Sequence, residues 1–230
     1  MKQRCVAIII LLTLFSGIVC AQKKDDKIKF NYGIKAGFQA VTYNSTKFTI
    51  DGYKFDENTI QSNKVSYTIN PFVRLTKNKF YIQTEAAFGV TRHHFIFEDL
   101  EAGEFATNTP EYNLTTYCFQ VPILFGYNFI DQEYYGMSFF TGPRTKFIFT
   151  SKSDQEFHNF KYEELEEKLK TPNYYWELGL GVRIYNVFFD ITYDWGFIYN
   201  ETTITNKTTG AEFKSKRSDS VLCFTVGFIF

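Results

Sequence analysis

The chain has 230 residues, enough for one domain and an export signal, and its 25 basic residues balance 25 acidic ones. This balance gives no electrostatic basis for binding nucleic acid or for a polybasic membrane anchor. Aromatic residues make up 20% of the chain, more than a water-soluble domain of this size readily buries. A protein whose outer surface contacts lipid has no need to bury them.

The first 21 residues have the three parts of a secretory signal peptide: a basic start, an apolar stretch at 6–19 and a small residue, Ala21, before the cleavage site. A transmembrane helix is the weaker alternative, because the stretch is shorter than the roughly 20 residues of a span. Lipid modification of Cys20 is a further alternative. We therefore expect residues 1–21 to be removed and residues 22–29 to form a short periplasmic segment.

From Phe30 onward the dominant hydrophobic period is two, which is typical of strands. No later apolar run reaches helical spanning length, so a membrane location would require a closed barrel. Eight strand segments follow this period, and together they make 30–230 the barrel domain: 30–43, 64–76, 79–93, 114–128, 136–149, 173–185, 187–200 and 218–230. Each segment exceeds the roughly 9–11 residues that a tilted transmembrane strand needs.

The connections between these segments alternate in length. Short turns fall at Lys77-Asn78, at 130–135 and near Asn186, whereas the other four connections are long and polar. Outer-membrane barrels have short periplasmic turns and long external loops. The sequence therefore predicts an all-β fold, an eight-stranded antiparallel up-and-down transmembrane β-barrel in the outer membrane of a Gram-negative bacterium. Within the long connection 150–172, the residues 162–169 fit either a short external helix or a solvated loop.

Alternation divides each segment into an apolar, aromatic face and a polar face. A soluble lipocalin-like barrel alternates too, but it turns the apolar face inward. Glycine favours the membrane arrangement, because a glycine on a solvent face weakens a strand without benefit, whereas in a narrow lumen it makes room for long charged neighbours. Nine of the 14 glycines lie on the polar face: Gly33, Gly37, Gly89, Gly126, Gly142, Gly179, Gly181, Gly196 and Gly227.

The predicted inward face carries charges of both signs. Eight strands leave an interior that side chains about fill, so these charges should pair with one another as a structural network. A gated or proton-conducting path, and acid–base catalysis by Asp190 and Asp194, are the alternatives. The predicted network comprises Lys35, Arg74, Glu85, Arg144, Lys146, Glu177, Arg183, Asp190 and Asp194.

Several motifs, taken in order, resemble the PorT-like outer-membrane β-barrel domain proteins common in Bacteroidota. The resemblance covers nearly all of 28–230 and implies an eight-stranded outer-membrane barrel. Some similar proteins take part in secretion across the outer membrane or in gliding. The residues that carry it are Tyr32-Gly33-Ile34-Lys35-Ala36-Gly37-Phe38, Phe119-Gln120-Val121-Pro122-Ile123-Leu124, Phe139-Phe140-Thr141-Gly142-Pro143, Gly179-Leu180-Gly181-Val182 and Phe189-Asp190-Ile191-Thr192-Tyr193-Asp194-Trp195-Gly196.

Some residues predict local features. Pro71, Pro122 and Pro143 fall inside strands and remove ladder donors, so we expect bulges or irregular pairing there. Cys118 and Cys223 lie on opposite sides of the predicted barrel, too far apart for a disulfide, so both should be free thiols. The chain ends with aromatic and apolar residues at a period of two, which is typical of the signal that barrel-insertion machinery reads: Phe224, Val226, Phe228 and Phe230.

The sequence points to no chemistry of its own. His93 and His94 end the third segment, but adjacent strand residues face opposite sides and make a poor metal pair. We expect a non-enzymatic barrel without cofactor, metal or catalytic residues, whose external loops contact a surface or a partner. Its predicted partners are outer-membrane lipid, the insertion machinery, and envelope or secretion proteins. The alternatives are an accessory of secretion or gliding machinery, an outer-membrane enzyme with a rim site, and a soluble lipocalin-like carrier.

Overall fold

The computed structural model describes residues 28–45, 49–50, 53–55, 65–99, 110–149, 153–159, 165–198, 200–207 and 209–230. The predicted signal peptide and residues 22–27 of the predicted periplasmic segment lie outside these ranges. No helix among the described residues is long and apolar enough to cross a membrane.

The described part of the chain folds into fourteen strands. They are β1 (Lys29–Ser45), β2 (Thr49–Ile50), β3 (Tyr53–Phe55), β4 (Ser66–Lys77), β5 (Phe80–Glu85), β6 (Ala87–Asp99), β7 (Glu111–Asp131), β8 (Tyr135–Ile148), β9 (Asp154–His158), β10 (Leu165–Lys168), β11 (Asn173–Ile184), β12 (Val187–Trp195), β13 (Asn200–Asn206) and β14 (Glu212–Ile229).

Nine of these strands close into an antiparallel barrel of eight staves, because β5 and β6 together form one stave. The staves follow chain order as β1, β4, β5–β6, β7, β8, β11, β12 and β14. The last stave returns to the first, with pairs running from Gly33↔Ile229 to Ser45↔Arg217. The predicted all-β barrel is confirmed, and each of the eight predicted segments corresponds to one stave.

The two faces of the barrel wall are those predicted from the alternation. Outward side chains of β12, such as Ile191 and Trp195, are exposed, whereas the alternate Asp190 and Asp194 are buried. An apolar exterior around a polar interior is the inverse of a lipocalin-like carrier, so that alternative is wrong.

Four of the inward glycines accommodate aromatic rings and others, such as Gly37 and Gly142, lie against neighbouring backbone, so room for long charged side chains is not their main role. A Cβ on Gly179 would lie 2.2 Å from the ring of Phe140, and one on Gly126 would lie 2.0 Å from the ring of Tyr81. The rings of Phe72 and Phe188 pack in the same way over Gly33 and Gly227. The lumen therefore packs large aromatic side chains against bare backbone on the neighbouring stave.

The three strand prolines produce interrupted pairing without a shift of register. Pro71 on β4 lies opposite Ala86, where β5 ends and β6 begins, and the Ala86 amide still donates to the Pro71 carbonyl at 3.0 Å. Pairing of β7 with β8 stops after Pro122↔Arg144 and resumes at Phe125↔Thr141, which leaves a gap opposite Pro143. The register shift in this pair lies elsewhere, between Asn128 and Ile130.

Side chains on the outer wall add hydrogen bonds to the backbone, one of them at the interrupted ladder beside Pro122. The Thr84 hydroxyl donates to the Pro122 carbonyl at 3.0 Å, and the Thr141 hydroxyl donates to the Glu177 carbonyl at 2.9 Å. The Trp176 indole donates to the Thr141 hydroxyl at 2.7 Å. Backbone groups that face hydrocarbon must be satisfied within the protein, and the Thr84 hydroxyl supplies the partner that the Pro122 carbonyl lacks.

The barrel ends differ. Ile28, Phe230 and the three short turns lie at one end, with turns at 78–79, 132–134 and 185–186. At the opposite end the predicted loops contain further strands, which extend the wall beyond the barrel. We call these strands the external extension: β2, β3, β9, β10, β13 and the adjoining ends of β6, β7 and β14.

The prediction of a helix or loop at 162–169 is wrong for residues 165–168, which form β10. This strand pairs with β13 from Leu165↔Asn206 to Lys168↔Thr203. Leu165 and Glu167 point inward and are buried, whereas Glu166 and Lys168 are exposed. The glutamates therefore alternate along a strand, and tertiary pairing has overridden their helical propensity.

Candidate functional site: the lumen and its two ends

The half of the lumen nearer the chain termini centres on Lys35. Its ammonium group lies 2.7 Å from Glu85 Oε1 and 3.2 Å from Asp190 Oδ2, and all three side chains are almost fully buried. The two Glu85 oxygens also accept hydrogen bonds from Gln83 at 2.8 Å and Asn70 at 3.0 Å. One cation thus joins carboxylates from two staves that lie across the lumen.

A second group, centred on Arg144, lies nearer the external end. Its guanidinium contacts Glu177 Oε2 at 2.5 Å and Asp194 Oδ2 at 3.3 Å, and it donates to Gln120 Oε1 at 2.8 Å. Glu177 has no exposed surface. The remaining oxygens, Glu177 Oε1 and Asp194 Oδ1, are buried without a hydrogen-bond partner among the described residues.

The structure divides the nine predicted lumen residues among different positions. Six form the two groups around Lys35 and Arg144. Lys146 lies 4.0 Å from Asp219, and Arg183 pairs with Asp131 at 3.2 Å near the turns, where both are partly exposed. Arg74 forms no ion pair with any described residue and instead packs on aromatic rings.

Several polar residues of the lumen are missing from the predicted network, although their positions in the period-two alternation indicate the inward face. Asp219 has the inward parity of Cys223, and its carboxylate accepts the Tyr175 hydroxyl at 2.8 Å. Gln83 and Gln120 have the inward parity of Glu85 and Cys118. Gln83 binds Glu85 in the Lys35 group, and Gln120 binds Arg144 in the other group, so each amide extends one set of ion pairs.

The external end is closed by an apolar cluster. Tyr112 stacks on Phe157 with ring centroids 4.1 Å apart and on Phe95 at 5.6 Å. We define the external cluster by its five buried residues, which come from both sides of the extension: Phe95, Tyr112, Leu114, Leu165 and Ile204.

Polar contacts tie the two sides of the external extension together. The Tyr112 hydroxyl donates to the buried Glu167 carboxylate at 2.7 Å. Between β9 and β10 the amide of Gln155 acts as a peptide group: it accepts from the Glu167 backbone N–H at 2.7 Å and donates to the Glu167 carbonyl at 2.8 Å. In the external extension, the Gln155 side chain therefore connects β9 to β10, and the buried hydrogen bond from Tyr112 to Glu167 connects β7 to β10.

The end with the turns contains a cavity of about 630 Å³, which we call the vestibule. It is open to solvent and deepens toward the Lys35 group, since Asp190 and Ser138 form part of its lining. The vestibule is predominantly polar, with basic residues on opposite walls at Arg74 and Arg183.

The cysteines and histidines assemble no reactive site among the described residues. Cys118 and Cys223 are both buried and free, as the distance argument predicted. His93 is buried beside Phe95, whereas His94 points to the other face and bonds Asn113 at 2.7 Å. Within the described ranges no group of three or more histidine, cysteine or acidic side chains is placed to hold a metal ion.

The predicted insertion signal lies on the outer wall of β14. Val226, Phe228 and Phe230 are exposed, and the half-buried Phe224 stacks on Phe38 of the first stave with centroids 5.3 Å apart. Phe230 likewise stacks on Tyr32 at 5.3 Å. These aromatic contacts cover the closing seam between the last stave and the first.

A closed antiparallel ring with an aromatic exterior and charges inside defines a transmembrane β-barrel. The chain belongs to the outer membrane protein beta-barrel domain family, whose model matches residues 20–200. The protein is therefore placed in the outer membrane of a Gram-negative cell. By the usual orientation of such barrels, the short turns and the vestibule face the periplasm.

Several solved structures are similar to this chain. OprG of Pseudomonas aeruginosa is 16% identical and matches with a TM-score of 0.60, over 88% of this chain and 97% of that chain. Ail of Yersinia pestis is 14% identical with a TM-score of 0.39, over 88% of this chain and 99% of that chain. The outer membrane protein AlkL is 10% identical with a TM-score of 0.48, over 91% and 94%. No curated protein sequence matches the chain.

Proposed function

We propose that the protein is a non-enzymatic outer-membrane barrel that is closed to solutes and presents its external extension to partners at the cell surface. The observation that carries the proposal is a double closure. Buried ion pairs fill the lumen, and the apolar external cluster covers it. Signal-peptide cleavage after Ala21 and insertion from the periplasm belong to the same proposal.

The geometry of the lumen supports closure rather than conduction. Lys35 and Arg144 each join carboxylates from different staves, so their side chains span the bore at two levels. Moving either aside would leave buried charges unpaired, which costs several kcal/mol per ion. Such an interior resists opening at thermal energies.

The structure of the external extension supports the proposed contact with partners at the cell surface. Strand pairing and the external cluster hold it rigid, and rigid scaffolds that carry loops are where binding surfaces usually lie. Its rim is charged, with an exposed ion pair between Lys207 and Glu166 at 2.8 Å and exposed Asp154 and Glu156 on β9. A polar or charged macromolecule at the surface is the partner that this rim suits.

Conductance of the refolded barrel in planar bilayers tests closure. We expect no steady ohmic current from the unmodified protein. Replacing Arg144 and Glu177 by alanine together with Leu165→Ser weakens both closures and should open a measurable leak, whereas Leu165→Ser alone should not, since the ion pairs below remain. The heat-modifiable gel mobility of each variant reports whether its barrel is intact. A steady current through the unmodified barrel would refute the proposal.

A second candidate is an accessory role in protein secretion or gliding. It is supported by the PorT-like motifs, such as that around Pro122, and by the vestibule, which offers a polar surface to periplasmic components. Comparing the secreted proteins of a deletion strain with those of its parent tests this role. Loss of a defined set of secreted proteins supports it, and an unchanged secretome with an intact envelope excludes it.

A further inference from the structure

The vestibule contains a basic side chain that the lumen network does not use. Arg74 lies on the vestibule wall at the end of the bore that faces the periplasm. Lys35, Arg144 and Arg183 each pair with a carboxylate. The terminal nitrogens of Arg74 have no hydrogen bond or ion pair with any described residue, and the vestibule provides them with free space.

The guanidinium of Arg74 is fixed in place despite this lack of a charged partner. Its central carbon lies 4.3 Å from the ring centroid of Tyr81, with the rings of Phe72 and Phe188 at 5.7 and 6.0 Å. Its Nε donates to Gln83 Oε1 at 2.7 Å. The cation–π contacts hold the guanidinium in position, and the Gln83 hydrogen bond fixes its Nε edge. The two terminal nitrogens are thus preorganised as a pair of donors.

The nearby carboxylates are already occupied by other donors. Glu85 accepts from Lys35, Gln83 and Asn70, and Asp190 lies 3.2 Å from Lys35. Neither lies within ion-pair distance of Arg74. Arg183, across the vestibule, is held by Asp131 and by backbone carbonyls including that of Gln132 at 2.9 Å. Lys29 also lines the vestibule, as an exposed side chain, so Arg74 is the basic group there that is both held in place and has donor capacity to spare.

We propose that the vestibule is a periplasmic binding site for an oxyanion, a carboxylate or phosphate group, and that Arg74 is the fork that receives it. A planar guanidinium binds both anions through two parallel N–H···O bonds. Asn31, which pairs with Arg74 across β1 and β4 and also donates to the Phe230 carbonyl at 3.5 Å, and Asn128 line the same cavity, and Phe188 offers an apolar surface for the remainder of the molecule. The cavity of about 630 Å³ has room for a small organic anion or the end of a peptide.

The site is connected to the lumen by hydrogen bonds. Arg74 donates to Gln83, Gln83 donates to Glu85, and Glu85 is bound by Lys35. An anion that draws the guanidinium toward the periplasm would pull on the amide that also orients Glu85. The site thus lies at the start of a series of hydrogen bonds that runs from the periplasmic end into the ion pairs of the lumen.

The experiment measures binding to the refolded barrel in lipid nanodiscs by calorimetry at constant ionic strength. Two probes distinguish the sources of the anion: benzoate, which joins a carboxylate to an aromatic ring, and inorganic phosphate. We expect saturable binding of at least one, weakened about tenfold or more in Arg74→Gln, since a hydrogen bond to a charged group contributes more than 1.4 kcal/mol. Arg74→Lys keeps the charge and loses the fork, so it should also bind weakly. Preference for benzoate indicates a carboxylate ligand, and preference for phosphate indicates a phosphate ligand.

Lys207→Gln, which removes one positive charge from the external rim, is the control and should bind as the unmodified protein does. Gel mobility before and after heating verifies that every variant is folded. Absence of saturable binding of both probes would overturn the proposal, as would equal affinity in Arg74→Gln. Equal affinity in Arg74→Lys would overturn the claim that the guanidinium binds through two parallel donors, because a single positive charge would then be sufficient. None of these outcomes depends on whether the barrel conducts.

Discussion

At the scale of single residues, this barrel concentrates its electrostatics on two cations. Lys35 and Arg144 are each enclosed by carboxylates from other staves, and a neutral amide adds to each group, Gln83 on Glu85 and Gln120 on Arg144. Buried ion pairs contribute little when intact, relative to an apolar replacement, but they are costly to break from one side. The sensitivity of the lumen to substitution therefore depends on which partner is removed.

We expect Lys35→Met to destabilise the barrel by about 3–5 kcal/mol, because it leaves Glu85 and Asp190 buried without their cation. Urea unfolding in detergent micelles or lipid vesicles, followed by tryptophan fluorescence, measures the loss. Lys146→Met is the matched control. Lys146 lies 4.0 Å from an Asp219 carboxylate that also accepts the Tyr175 hydroxyl, so its loss should cost clearly less than the loss of Lys35. Equal effects of the two variants would contradict this account.

At the scale of elements, the prolines mark a line of weakened pairing across neighbouring staves. Pro71, Pro122 and Pro143 interrupt three adjacent pairings at similar height, beside the Lys35 and Arg144 groups. Each proline removes a ladder donor, and the carbonyl that remains needs another partner within hydrocarbon. Thr84 supplies the replacement hydroxyl for the Pro122 carbonyl from the lipid-facing side.

We predict that Thr84→Val lowers the free energy of unfolding by about 1–2 kcal/mol, because the Pro122 carbonyl loses its hydroxyl donor in the membrane. The hydroxyl is removed with almost no change of volume. Thr145→Val is the control, since the half-buried Thr145 on β8 makes no hydrogen bond with any described residue through its side chain. Folding in vesicles should show Thr145→Val to be neutral or stabilising. A neutral Thr84→Val would mean that water or lipid satisfies the carbonyl instead.

The elements also show what a sequence can and cannot disclose. Alternation of apolar residues predicted all eight staves, because a wall between lipid and a polar bore forces a period of two on every strand. The strands of the external extension escaped prediction. β10 is short and rich in glutamate, and it is a strand only because β13 and the external cluster receive its alternate residues, Leu165 and Glu167. The sequence also did not predict that Arg74 lies apart from the ion pairs. Its position depends on aromatic rings from three different staves, those of Phe72, Tyr81 and Phe188.

At the scale of the whole molecule, the two ends of the bore have opposite character. The external end is dry and apolar, whereas the periplasmic end is an open polar cavity that reaches Asp190. The external extension has its own small core above the lipid, so it can loosen without unfolding the barrel. Its stability should depend on the contacts that cross between its two sides, chiefly those made by Glu167.

The hydrogen bond from Tyr112 to Glu167 provides a direct test of that independence. Tyr112→Phe keeps the stack on Phe157 but leaves the buried Glu167 carboxylate without its hydroxyl donor, which should cost about 1–3 kcal/mol locally. Intact cells, or vesicles with the external side outward, should then be cut faster by protease in the external extension, while the heat-modifiable mobility of the barrel is unchanged. Lys207→Gln, which breaks only an exposed ion pair with Glu166, should leave the cleavage rate unaltered. If Tyr112→Phe instead abolished heat-modifiability, the external extension and the barrel would unfold as one unit, since the loss of one external hydrogen bond would have reached the membrane-spanning staves.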